Sequence, residues 1–113
     1  MLSKNKRISK KYFPFILKNS KRFNSPHFVL YISENNLKSQ SNFSFSISKK
    51  ICKKAVYRNK YRRQGYSIIN KYLNQIKNGF FFFFSFKKST YPVDFNTLND
   101  EIFSLLSVSH MIN

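Results

Sequence analysis

Acids are almost missing from this sequence: four Asp and Glu stand against 21 Lys and Arg, a formal net charge of +17 over 113 residues. Metal-dependent phosphoryl chemistry wants clustered carboxylates to hold its ions. Here Glu34 stands alone in a polar turn, and Asp94, Asp100 and Glu101 lie together near the end of the chain. No catalytic residue and no metal ligand set is therefore expected. The two histidines, His27 and His110, are isolated and offer no acid–base pair. Cys52 is single, which excludes an internal disulfide, leaves zinc without its ligands and fits a reducing compartment. Tryptophan is absent, and glycine and proline number two and three, so there is no flexible or proline-rich linker. The longest aromatic run, FFFFF at 80–84, is far short of the roughly 20 residues a helix needs to span a bilayer. The basic opening MLSKNKRISKK is not followed by the apolar core of a signal peptide. A cytoplasmic protein without a membrane partner is expected.

What the chain does contain is cation and aromatic. All 21 Lys and Arg precede residue 89 and only Glu34 opposes them there, so residues 1–88 carry +20 and residues 89–113 carry −3. High charge can keep a chain unfolded, but 42% of residues are hydrophobic and 14 are Phe, which argues for a core. The length suits one domain. We expect a basic N-terminal arm over 1–10 and a single α+β domain over 11–113.

KYFPFILK, 11–18, reads as a short helix with Phe13, Ile16 and Leu17 on its apolar side and Pro14 in its first turn. HFVLYIS, 27–33, reads as a strand with Phe28, Leu30 and Ile32 on one face and Val29 and Tyr31 on the other. A polar turn, ENNLKSQSN, leads to FSFSIS, 43–48, where Phe43, Phe45 and Ile47 oppose Ser44, Ser46 and Ser48. The short connection predicts that these two strands pair antiparallel. A helix is predicted from Ala55 to Ile76, its apolar stripe formed by Tyr61, Gly65, Ile68, Tyr72 and Ile76, with Asn78-Gly79 ending it. GFFFFFSF is apolar on both faces and predicts a strand that is central or well covered. The last helix starts at Asp94 as N-cap and turns Phe95, Leu98, Ile102, Leu105 and Leu106 inward. Asp100 and Glu101 fall outside its first turn, so the helix dipole gives no reason for them. The whole reads as a small αβββαβα-type sandwich.

The segment KKICKKAVYRNKYRR, 49–63, packs eight cations into fifteen residues with no acid. Like charges a turn apart repel, and cations oppose the dipole at a helix start. A solvated helix face intersperses the two signs; this one is suited to phosphates. A membrane-surface helix needs a free bulky apolar face, which the core claims here. A DNA-architectural protein would want a dimer interface or a groove-inserting arm, and neither is visible. A small ribosomal or general RNA-binding protein shares the charge and the size.

The ordered set of SISKK, KKAVYRNKYRR and the later FFFFFSFKK, with RISKKYFPFILKNSKR and SPHFVLYI before them, resembles the protein component of bacterial ribonuclease P over nearly the whole chain. The resemblance implies a compact α+β fold with a left-handed βαβ crossover. It implies an accessory role in removing the 5′ leader of precursor tRNA, with catalysis and the Mg²⁺ ions carried by an RNA subunit. It implies two partners, the catalytic RNA and precursor tRNA, and no obligate protein partner. Arg58, Asn59, Arg62 and Arg63 match the family's signature; Lys60 stands where Arg is common. With Lys49, Lys50, Lys53 and Lys54 they are expected to bind the catalytic RNA. Gly65 and Tyr66 depart from the family's aliphatic residue and cation, and the lost charge at Tyr66 is expected to weaken the far end of that contact.

A second surface is expected for the single-stranded leader. The serine face of 43–48 lets a backbone approach closely, so Ser46 and Ser48 belong to it. Tyr31 and Phe13 match the family's groove aromatics and suit base stacking, although a Phe in a short helix is more often core than stacking platform, so Tyr31 with its polar tip is the better candidate. Leu17, Phe86 and Lys87 join this groove by resemblance alone.

Overall fold

A computed structural model describes residues 4–35, 40–88 and 92–112, and in it α1 (Phe13–Lys18), β1 (Lys21–Asn24), β2 (Phe28–Glu34), β3 (Asn42–Ser46), α2 (Ala55–Tyr72), β4 (Phe80–Phe86) and α3 (Phe95–Val108) follow in that order. The polar turn expected before β3 falls partly on 36–39, outside the described residues. The strands form one mixed sheet in the order β1-β2-β4-β3. β4 is central because both its faces are apolar: Phe82, Phe84 and Phe86 enter the main core, while Phe81 and Phe83 join a second cluster on the opposite face. It runs antiparallel to β2 and parallel to β3. The expected direct pairing of β2 with β3 is thus corrected: β4 lies between them. Its phenylalanines also match those of β3 ring for ring. Phe43 stacks on Phe82 at 5.1 Å and Phe45 on Phe84 at 4.6 Å, each pair contributing about 0.5–1.5 kcal/mol beyond burial.

Alternation in β2 buries Phe28, Leu30 and Ile32 under α2 and α3, which supply Tyr61, Ile68, Ile69, Leu98, Ile102, Leu105 and Leu106. α1 covers the other face, where Ile16 meets Ile8 and Phe81. Pro14 sits in its first turn, as expected, but Leu17 is exposed rather than apolar-packed. Phe95, expected inside, is also exposed, while Asp94 caps α3 by accepting the Thr97 N–H at 2.8 Å. Hydrogen bonds from the Thr97 side chain and backbone hold the Asp94 carboxyl below its ordinary pKa. Asn78-Gly79 does not end the helix. α2 stops at Tyr72, a 3₁₀ turn follows at Leu73–Gln75, and Ile76 is drawn out to pair with Ile112. Gly79 instead uses its positive φ of 88° to enter β4.

His27 and Glu101 correct the reading of isolated side chains. Glu101 accepts from the Ser25 hydroxyl at 2.6 Å and the His27 N–H at 2.8 Å, and its second oxygen lies 2.5 Å from His27 Nδ1. This carboxylate ties α3 to the turn between β1 and β2, which explains an acid that the helix dipole did not. Glu101→Ala is expected to cost about 1–2 kcal/mol of stability, since charge-assisted hydrogen bonds in a largely buried site are lost. Urea unfolding of the variant measures this; an unchanged midpoint would contradict it.

Candidate nucleic-acid interface

The cation block folds into a turn and a helix start. The Ser48 carbonyl accepts from Ile51 and Cys52 N–H groups, both at 3.1 Å, and closes the turn. Cys52 is buried beneath it, so Lys49, Lys50, Lys53 and Lys54 are all left exposed. Arg58 Nη1 donates to the carbonyls of Cys52 at 2.9 Å and Lys53 at 2.7 Å. Its guanidinium therefore clamps the loop to α2, a role that spacing did not suggest. Tyr61, Gly65, Ile68 and Ile69 are buried, which turns Asn59, Lys60 and Arg63 to the surface with Arg62 half-buried. Arg62 donates to the Asn59 side-chain oxygen and is oriented by it. No acid occurs in the first turn of α2.

The missing side chain at Gly65 is what lets α2 approach the sheet. A Cβ there would lie 2.7 Å from two ring carbons of Phe45. That ring is held by its stack on Phe84 and by an edge contact with Tyr66 at 5.2 Å. Gly65→Ala gains about 1 kcal/mol of helix propensity but overpacks a fixed ring at about 1–3 kcal/mol. A net loss of about 1 kcal/mol is expected in urea unfolding, shrinking when Phe45 is also Leu. Stabilisation by Gly65→Ala alone would contradict this packing.

The N-terminal segment joins the same region. Ile8 N–H donates to the Phe43 carbonyl at 3.0 Å, and Asn42 Nδ2 donates to the Asn5 carbonyl at 2.9 Å. Residues expected as a basic arm thus strap the free edge of β3, with Ile8 8% exposed. Arg7, unremarked in the sequence, lays its guanidinium 4.6 Å from the centre of the Tyr66 ring. With Asn59, Arg62, Arg63 and Tyr66 it lines a cleft of about 240 Å³.

The other surface is the face of the sheet beside α1. Register sets Arg22, Tyr31, Phe83 and Ser44 in one row across all four strands, and Asn24, Val29, Ser85 and Ser46 in the next. Tyr31 stacks on Phe83 at 5.5 Å, Phe13 reaches the same ring at 5.2 Å, and the Arg22 guanidinium lies 5.3 Å from the Tyr31 ring centre. Phe13 and Tyr31 thus meet on the ring of Phe83, and both are half-buried. Ser46 and Leu17 are exposed and Lys87 is half-buried. Phe86 is a correction. Only 2% exposed, it faces the core against Phe28 at 4.6 Å, and Phe83 is the β4 ring that meets Tyr31 and Phe13. Strand parity alone separates them, since Phe86 shares a face with Phe82 and Phe84. Ser48 is exposed but belongs to the turn before α2, beyond the end of β3.

Two of the four carboxylates are engaged elsewhere: Asp94 caps α3 and Glu101 holds Ser25 and His27. Among the described residues no three His, Cys, Asp or Glu could together hold a metal ion, and no helix is long and apolar enough to cross a membrane.

A mixed four-stranded sheet, an acid-free cationic helix start and an aromatic–serine sheet face make a small α+β protein of a kind suited to nucleic acid. A family model described as Ribonuclease P matches residues 2–109. The structure is similar to that of the Staphylococcus aureus RNase P protein at TM-score 0.86 and 20% identity, covering 96% of this chain and 98% of that one. The RNase P protein from Thermotoga maritima matches at TM-score 0.80 and 25% identity, covering 90% and 96% respectively. No curated relative matches the chain. The chain belongs to the ribonuclease P protein family and is a subunit of that ribonucleoprotein endoribonuclease, which acts in tRNA processing.

Proposed function

We propose that the two surfaces divide the labour of the subunit. The exposed lysines of the turn at 49–54, with Asn59, Lys60, Arg62 and Arg63, neutralise phosphates of the RNA subunit and release its counterions. Arg58 acts chiefly by holding that turn against α2. The sheet face of Phe13, Tyr31, Phe83, Ser44 and Ser46 holds the single-stranded 5′ leader of precursor tRNA, with bases stacking on the rings and the backbone passing over the serines. Leu17 and Lys87 flank this groove. The RNA subunit carries the chemistry and its Mg²⁺ ions, and the protein's positive charge lowers the Mg²⁺ that the assembly requires. Work on precursor tRNA places the protein in the cytoplasm, with no further protein needed.

The observation that carries this reading is the conjunction of an acid-free cation cluster at a helix start with half-buried aromatic rings beside serines on an open sheet face. Its test is the affinity of the assembled holoenzyme for precursor and for mature tRNA. A clear preference for precursor that vanishes when the leader is shortened to one nucleotide is expected. Equal affinity for both would remove the leader from the second surface.

A further inference from the structure

We infer that Arg7 completes a phosphate-binding pocket with Arg62 and Arg63, supplying from the N-terminal segment the cation that α2 lacks at Tyr66. The ligand is a backbone phosphodiester of RNA, so the inference rests on the RNA-binding reading of α2.

The backbone fixes where Arg7 points. Residues 7 and 43 form a parallel bridge, with Ile8 N–H bonded to the Phe43 carbonyl and Asn42 Nδ2 donating to the carbonyls of Asn5 and Arg7 at 2.9 and 3.3 Å. Ile8 enters the cluster beside α1. Alternation then sends Arg7 to the α2 side, where its guanidinium lies over the ring of Tyr66. That ring is a fixed platform: its hydroxyl accepts the Phe45 N–H at 3.4 Å and its face is edged by Phe45. The cleft so formed is lined by three guanidinium groups, one amide and one phenol, without a carboxylate. Arg7 Nε is buried and has no hydrogen-bond partner among the described residues. Guanidinium forks match the oxygens of a phosphodiester. Stacking on an aromatic ring leaves the edge donors of Arg7 free to face such a group. The N-terminal segment thereby gains a role beyond covering the edge of β3: it carries charge to the signature helix across more than fifty residues of chain.

The test is the dissociation constant of full-chain variants for the RNA subunit transcribed in vitro, measured across a KCl series, with urea unfolding run alongside. Arg7→Ala is expected to weaken binding about fivefold at ~0.15 M salt and to lower the slope of log K against log salt by about 0.7–0.9, the loss of one phosphate contact. Arg7→Gln keeps the bulk of the side chain and is expected to show the same slope. Tyr66→Lys in the Arg7→Ala background is expected to restore it, since the lysine places a cation at the same cleft. Unchanged affinity for both Arg7 variants, with Arg63→Ala still weakened, would overturn the inference and leave the α2 reading intact. Lost affinity with an unchanged slope would also overturn it, because that marks packing rather than phosphate contact. If Arg63→Ala binds as tightly as the parent protein, the α2 reading itself fails.

Discussion

The Arg62→Ala, Arg63→Ala double variant is expected to bind the RNA subunit about 25-fold more weakly at ~0.15 M salt, each released counterion being worth about fivefold there. Both side chains stand on a helix whose opposite face is locked into the core by Tyr61, Ile68 and Ile69, so the fold survives their loss. Arg63 is exposed and Arg62 donates to the Asn59 side chain. The salt slope should fall by about 1.4–1.8 units, reflecting two phosphate contacts. The deficit should therefore shrink as salt rises and nearly vanish near 1 M. Arg58→Ala behaves differently. Its guanidinium serves the Cys52 and Lys53 carbonyls, so its loss loosens the whole lysine turn and shows in unfolding as well as in binding. Filter binding across a salt series, paired with urea unfolding, separates the two cases. A double variant with parent-like affinity and slope would remove α2 from the RNA interface.

Tyr31→Ala is expected to weaken holoenzyme affinity for precursor tRNA about 5- to 150-fold while leaving mature tRNA unaffected, one stacked base being worth about 1–3 kcal/mol. The ring is half-buried, braced on one side by Phe83 and approached on another by Arg22. It is fixed before any ligand arrives, so little ordering is needed on binding. Tyr31→Phe keeps the stacking face and should retain most of the affinity. Phe83→Ala should resemble Tyr31→Ala, because it removes the shared support of Tyr31 and Phe13. Phe86→Ala should not: Phe86 packs among Phe28, Phe45 and Tyr61, and its truncation costs stability, at about 3–5 kcal/mol for a buried Phe. The contrast between Phe83 and Phe86, three residues apart, reads directly which sheet face the leader uses. Equal losses for precursor and mature tRNA in Tyr31→Ala would place the defect outside leader binding.

Much of this was legible because period carries burial. The two-residue alternation of 28–32 and 43–47 and the helical stripe from Tyr61 to Ile68 assign the core faces correctly, and an all-apolar β4 reads as central or well covered. What local period does not report is which distant segment answers each face. Pairing of β3 with β4 rather than β2 depends on ring-to-ring matches between Phe43 and Phe82 and between Phe45 and Phe84. Gly65 looks like a weak point in α2 until Phe45 is seen in the space a side chain would fill. Glu101 has no local rationale because its partners, Ser25 and His27, lie more than 70 residues away. Arg7 and Tyr66 are likewise brought together only by the strap along β3. Phe86 is a different case: the parity of β4 assigns it to the core, and resemblance alone placed it in the groove.

The central claim is that this chain assists an RNA catalyst through charge and leader contact. Cleavage of a precursor tRNA by the cognate RNA subunit at limiting Mg²⁺, with and without the protein, tests it most directly. Strong stimulation by the protein, with no cleavage by the protein alone, is the predicted result. Tight, salt-dependent RNA binding without any stimulation would contradict it, leaving a protein that holds RNA but contributes nothing to the reaction.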